Sequence, residues 1–147
     1  MKEQTGEKQV PYDINAERAL LGALFVDPAG IESVFDILKT DHFMLERHAS
    51  IYKAMIACRE NGEIPDVATV CDNLRREGTY DAVGGISYLF ELSAEPCVPW
   101  LCCQYATIIR RCAIHRKVIQ AGGRISASGY NERREISQMF AEIESII

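Results

Sequence analysis

Strand patterns are missing from this sequence. Nowhere do apolar and polar residues alternate through a β-branched run bounded by hairpin turns, which argues against a sandwich or barrel and leaves an all-α chain. Long apolar runs are missing too, so nothing has the length to cross a bilayer. The opening Met1–Gln9 is charged and polar, without the apolar centre of a secretory signal, which makes the cytoplasm the expected compartment, with no membrane partner expected. There are six cysteines, at 58, 71, 97, 102, 103 and 112, yet no pair has the C-x₂-C spacing of a zinc knuckle or redox motif. Cys112 and His115 are three apart and could share one ligand face, whereas adjacent Cys102 and Cys103 point about 100° apart on a helix. Reduced thiols packed as small hydrophobes are the expected state, with no metal.

Phosphate-binding signatures are also absent. There is neither a Gly-x₄-Gly-Lys-Ser/Thr loop nor a Gly-x-Gly-x₂-Gly fingerprint. Gly122-Gly123-Arg124-Ile125-Ser126 shares only composition with such loops and follows a helical rather than a strand pattern. His42, His48 and His115 fall on different elements, and no serine or cysteine stands in a nucleophile motif. His48, next to Arg47 near a helix start, reads as a packing or capping residue. No catalytic residue and no bound cofactor is expected in this segment.

The chain of 147 residues has room for one compact domain, or a small domain with an appendage. Met1–Val10 reads as a disordered tail. Asp13 or Asn15 caps a first helix whose stripe is Ala16, Ala19, Leu20, Ala23 and Leu24; Gly22 and the alanines keep it thin, so another helix can approach closely. Asp27-Pro28 ends it. The pattern then predicts helices over about 30–39, with Ile31, Val34, Phe35 and Leu38 inward, and over about 46–59, stopped by Asn61-Gly62. A fourth helix is capped by Asp66 and ended by Gly78. A fifth covers 86–94, with Leu89, Phe90 and Leu92 for the core. Pro96 and Pro99 mark the boundary, giving a body of about five helices over 11–98 and a two-helix hairpin over 99–147.

Acidic residues are wholly absent between Trp100 and Gly129, a stretch that carries Arg110, Arg111, Arg116, Lys117 and Arg124. Residues 1–99 hold 9 basic and 17 acidic side chains, a net of −8, while 100–131 hold 5 basic and none acidic. Two readings of the basic stretch stand: contact with DNA, or a complement to the acidic body of a neighbouring subunit. Leu101, Tyr105, Ile108, Cys112 and Ile119 recur mostly at helical steps. After Gly129-Tyr130-Asn131 a second pattern follows in Ile136, Met139, Phe140, Ile143, Ile146 and Ile147. A lone hairpin cannot bury both faces. The candidate self-association residues are therefore Tyr105, Ile108, Ile109, Cys112, Ile119, Ile136, Met139, Phe140 and Ile143, set against the plainer role of packing the two hairpin helices together. Arg110, Arg111, Arg116 and Lys117 are the candidate charged partner contacts. Gly122-Gly123 leaves three readings: a kink, close packing against a partner, or an early helix end.

Several stretches together resemble the amino-terminal domain of the bacterial or phage replicative helicase of the hexameric DnaB type. Pro11–Gly22 is similar to the family's opening Pro-x-x-Ile/Leu-x-Ala-Glu-x-x-Leu/Val-Leu-Gly. Asp41-His42-Phe43 with His48 and Ile51-Tyr52, then Asn61-Gly62, Pro65–Val70, Leu74 and Gly78, and finally Val83–Leu89, follow its order and spacing. The resemblance implies a helical body and a hairpin that pairs with a neighbour's, within a collar that contacts primase and, in some systems, a helicase loader. It also implies a hexamer in the full-length protein, with a linker and an ATPase domain beyond residue 147. That motor would use ATP and Mg to unwind DNA at the replication fork and make the main DNA contacts. The alternative is a free-standing helical adaptor that binds primase or helicase without a motor. Two stretches depart from the family pattern: Cys97–Cys103, usually more polar, and Gly122-Gly123, in a helix that is typically continuous.

Overall fold

The computed structural model describes residues 8–147, so most of the tail expected over 1–10 lies outside the described residues. The described elements are all helical. Helix α1 (Ile14–Val26) starts where the Asp13 carboxylate accepts the Ala16 N–H at 2.9 Å, relieving one of the open donors of the first turn. Ala16, Leu20, Leu21, Ala23 and Leu24 are all buried, so α1 is enclosed on more than one side and forms the axis of the body. Each of its three leucines is fully buried, a contribution of about 1.5–3 kcal/mol apiece. Gly22 explains how α1 tolerates so close a neighbour: a Cβ there would lie 2.6 Å from the Leu92 carbonyl oxygen and 3.2 Å from Glu95 Cβ.

The next segment departs from expectation. Instead of one helix over 30–39 there is a 3₁₀ turn, Pro28–Gly30, leading into a short α2 (Ile31–Phe35). The Ile37 and Leu38 N–H groups both close on the Val34 carbonyl, which ends the helix in a tighter turn, and the Leu38 carbonyl accepts the Tyr52 hydroxyl at 2.8 Å. Ile31, Val34 and Leu38 point inward as expected, but Phe35 does not: it is 40% exposed, beneath the Arg59 guanidinium at 4.5 Å.

Helix α3 (Glu46–Glu60) buries His48, Ile51, Tyr52, Ala54, Met55 and Cys58, and Gly62 leaves it through a positive φ of 74°. Helix α4 (Val67–Glu77) is capped by Asp66, whose carboxylate accepts the Thr69 N–H at 2.8 Å, and ends at Gly78. A single turn, α5 (Tyr80–Val83), precedes α6 (Gly85–Ser93), so the described body has one helix more than the five expected. Gly84 and Gly85 make that junction with φ of 105° and 67°, a region that side chains with a Cβ rarely adopt. On α6, Leu89 and Leu92 are fully buried while Phe90 is 57% exposed, contrary to its expected core role: Leu89 and Leu92 fill one face, and Phe90 falls about 100° round the helix from its neighbour.

A 3₁₀ turn at Pro99–Leu101 feeds α7 (Cys102–Tyr130), and α8 (Ile136–Ile146) completes the chain. The early helix end considered at Gly122-Gly123 does not occur: α7 runs through both residues. Two compact units are formed among the described residues, 12–113 and 114–147, the latter with residues 8–11.

Candidate assembly surface

In the second unit, α8 carries two apolar stripes. Met139, Ile143 and Ile146 are half-buried, whereas Ile136 (69% exposed), Phe140 (57%) and Ile147 lie open. The distal part of α7 repeats the arrangement, with Ala121 and Ile125 half-buried and Ser128 buried, while Ile114, Val118 and Ile119 are exposed. The half-buried stripes mark the inner seam, and the hairpin is fastened at its turn. Ser128 Oγ donates to the Glu142 carboxylate at 3.1 Å, and the Arg134 guanidinium pairs with the same carboxylate. Arg116 donates to the Pro11 carbonyl at 2.8 Å. Two apolar pairs remain open, Ile114 and Val118 on α7 and Ile136 and Phe140 on α8, each pair four residues apart on its own helix.

The nine candidate self-association residues divide accordingly. Ile109 is 1% exposed and belongs to the body core, with Tyr105 and Ile108 packed against it; the Tyr105 hydroxyl also accepts the Val98 N–H at 3.0 Å. Cys112 is half-buried. Met139 and Ile143 sit in the inner seam, and Ile119, Ile136 and Phe140 are open. Ile114, Val118, Tyr130 and Trp100, the last 82% exposed, are open as well and lie outside the nine candidates. The step from Ile114 to Val118 is also helical, beside the longer stripe of Tyr105, Ile108, Cys112 and Ile119. Among the charged candidates, Arg110, Arg111 and Lys117 are exposed and Arg116 is half-buried.

The one cluster in the body that looks like acid–base machinery is structural. Glu17, 1% exposed, accepts from the Met44 N–H at 2.8 Å and lies 2.8 Å from His48 Nδ1; His48 Nε2 lies 2.6 Å from the Tyr88 hydroxyl. A carboxylate acceptor at Nδ1 and a phenolic donor at Nε2 fit the neutral imidazole with its proton on Nδ1. Glu17 thus binds the backbone leading into α3, and His48 joins α1 to α6. The imidazole is 0% exposed with both nitrogens engaged, so it has no way to meet a substrate. Burial raises the Tyr88 phenol above its ordinary range, against the lowering pull of Arg47 and Arg18, and the Arg47 guanidinium stands 4.2 Å from the ring centre. The other histidines lie apart: His42 Nδ1 accepts the Lys39 N–H, and His115 is exposed. Burial pushes the Cys58, Cys97 and Cys102 thiols up, which keeps them protonated.

An α1 cap at Asp13, a close helix crossing at Gly22 and a buried Glu17–His48–Tyr88 chain together define this helical body. Residues 9–111 match the family model described as the DnaB-like helicase N terminal domain. The chain belongs to this family. It is 31% identical over 147 residues to the replicative DNA helicase DnaC of Bacillus subtilis strain 168, covering 100% of this chain and 32% of that protein. To the replicative DNA helicase DnaB of Geobacillus stearothermophilus it is 32% identical over 144 residues, covering 98% and 32%. The chain therefore spans about a third of the length of the curated relatives it matches. Among solved structures, the N-terminal domain of DnaB helicase from Mycobacterium tuberculosis superposes with a TM-score of 0.89 at 28% identity, covering 94% of this chain and 98% of that one. A DnaB-like replicative helicase, described with its interactions with primase, gives 0.68 at 25% identity, covering 89% and 31%. The residues that gave the DnaB-like resemblance in sequence are those now seen to build the body: Glu17, Gly22, His48, Gly84, Gly85 and Tyr88. The family match stops at 111, short of the open apolar face.

Proposed function

We propose that this DnaB-type N-terminal domain assembles a replicative helicase and recruits its partners. The hairpin, 99–147, is the self-association element, and its distal part supplies the contact. The observation that carries this reading is the exposure of Ile114 and Val118 on α7 and of Ile136 and Phe140 on α8, while Met139 and Ile143 are half-buried on the other side of α8. Two copies related by a two-fold axis would cover one such face with another. On this reading the fragment forms a dimer and the full-length protein a hexamer in the cytoplasm. Primase, and in some systems a loader, bind the collar, while a following ATPase domain uses ATP and Mg and makes the main DNA contacts. The interaction with primase of the solved DnaB-like relative supports that part.

The test is an Ile136→Asp/Phe140→Asp variant. The two side chains have 69% and 57% of their surface still to bury, worth about 1–2 kcal/mol each. A symmetric dimer loses four such groups, so its dissociation constant should rise by about three decades or more. Helicity should be retained. An unchanged dimer refutes the surface, and loss of helicity shows that the pair belongs to the hairpin's own packing.

A further inference from the structure

The body carries a second surface that the hairpin reading leaves unused. Between the Pro28–Gly30 turn with α2 and the loop from α3 to α4 lies a groove of about 440 Å³. Its floor is apolar, formed by buried Ile31 and Pro65 with Pro28 beside them, and Ile64 stands on its rim 70% exposed. One wall is fixed: the Arg59 guanidinium donates to both Glu32 oxygens at 2.5 and 2.7 Å and lies over the Phe35 ring. That pairing neutralises the only cation of the lining, while Asp27 and Glu63, also lining the groove, make no ion pair among the described residues. Asp36 and Glu60 act on the same guanidinium from outside the groove. The slot is thus lined by Asp27, Glu32 and Glu63 against one arginine that Glu32 already holds.

We propose that this groove is a docking site for a short segment of another protein, carrying one large apolar side chain flanked by lysine or arginine. The slot has the volume for an aliphatic or aromatic anchor, and the unpaired Asp27 and Glu63 supply charges that only a basic flank would match. Nucleic acid is disfavoured by the same carboxylates, which would repel its phosphates.

The test is selection from a randomised short-peptide display library on the whole chain, with an Ile64→Asp variant as the counter-target. Ile64 is exposed, so this change should leave the circular dichroism spectrum intact. Enrichment of peptides with an apolar residue between basic ones is expected, with affinity reduced about tenfold or more by Ile64→Asp and by Glu63→Lys, and falling as salt is raised. The proposal is overturned by no enrichment over the counter-target, by an acidic or purely apolar consensus, or by peptides that bind both variants as well as the parent. It is also overturned if Ile64→Asp alone reduces the chain's sedimenting mass, since the groove would then be filled by a second copy.

Discussion

Glycines at 22, 122 and 123 all sit inside helices, where sequence treats them alike, yet the structure assigns them opposite roles. Replacing Gly122 or Gly123 with alanine adds a methyl that meets nothing within 4 Å, so only the backbone effect remains. That effect favours the variant by about 0.5–1 kcal/mol for each position. Gly22→Ala gains the same helical preference but places its methyl 2.6 Å from a backbone oxygen that cannot swing aside. Separating α1 from α6 also disturbs the Arg18–Glu95 pair, 2.7 Å apart across the same crossing. Overpacking of this kind costs about 1–3 kcal/mol, and the outcome should be a net loss of about 1–2. Thermal unfolding followed by circular dichroism reads the sign directly: Gly22→Ala should lower the Tm by about 2–6 °C, while Gly122→Ala should raise the helical signal of the hairpin. A Gly22→Ala protein as stable as its parent would contradict the close crossing. Alanines at 122 and 123 that stabilise the helix but weaken self-association would place a partner's backbone against them.

Further expectations concern the body. Tyr88→Phe removes the donor to His48 Nε2 and leaves a buried acceptor unsatisfied, which should cost about 1–3 kcal/mol in urea denaturation; a neutral result would mean the buried chain holds nothing. Phe90→Ser should change stability by no more than about 0.5 kcal/mol, whereas Leu89→Ala should cost about 2–5; equal losses would put the exposed face of α6 in error. Asp66 is held below its ordinary 3.8, first by the hydrogen bond from the Thr69 backbone. Its stabilisation of α4 is therefore complete above that value and fades as the pH falls through the lower folded value. Asp66→Ala should cost about 1 kcal/mol at neutral pH, with the difference from the parent shrinking in strong acid; a pH-independent difference would argue against the charged cap.

Local chemistry was the part most legible in the sequence. Asp66 as a cap, Gly78 as a helix end and the thinness of α1 at Gly22 depend on a residue and its near neighbours and stand as expected, and of the two caps offered for α1 the structure uses Asp13 rather than Asn15. What escaped depends on partners far along the chain. The Tyr52 hydroxyl that holds the Leu38 carbonyl comes from 14 positions away, and the partners of His48 from 31 and 40 positions away, to which periodicity is blind. Periodicity also finds an apolar face without saying what covers it, which is why Ile109, in the body core, and Phe140, in the open, entered the same group of candidates. The continuity of α7 through two glycines was equally invisible, because propensity is a weak prior and a nucleated helix passes through such a pair at modest cost.

The central claim is that the open face of the hairpin joins one copy of this chain to another. Sedimentation equilibrium over a concentration series tests it most directly. The claim predicts a reversible monomer–dimer equilibrium, shifted to monomer by Ile136→Asp/Phe140→Asp with the helical content unchanged. A parent chain that stays monomeric across the whole series would contradict it.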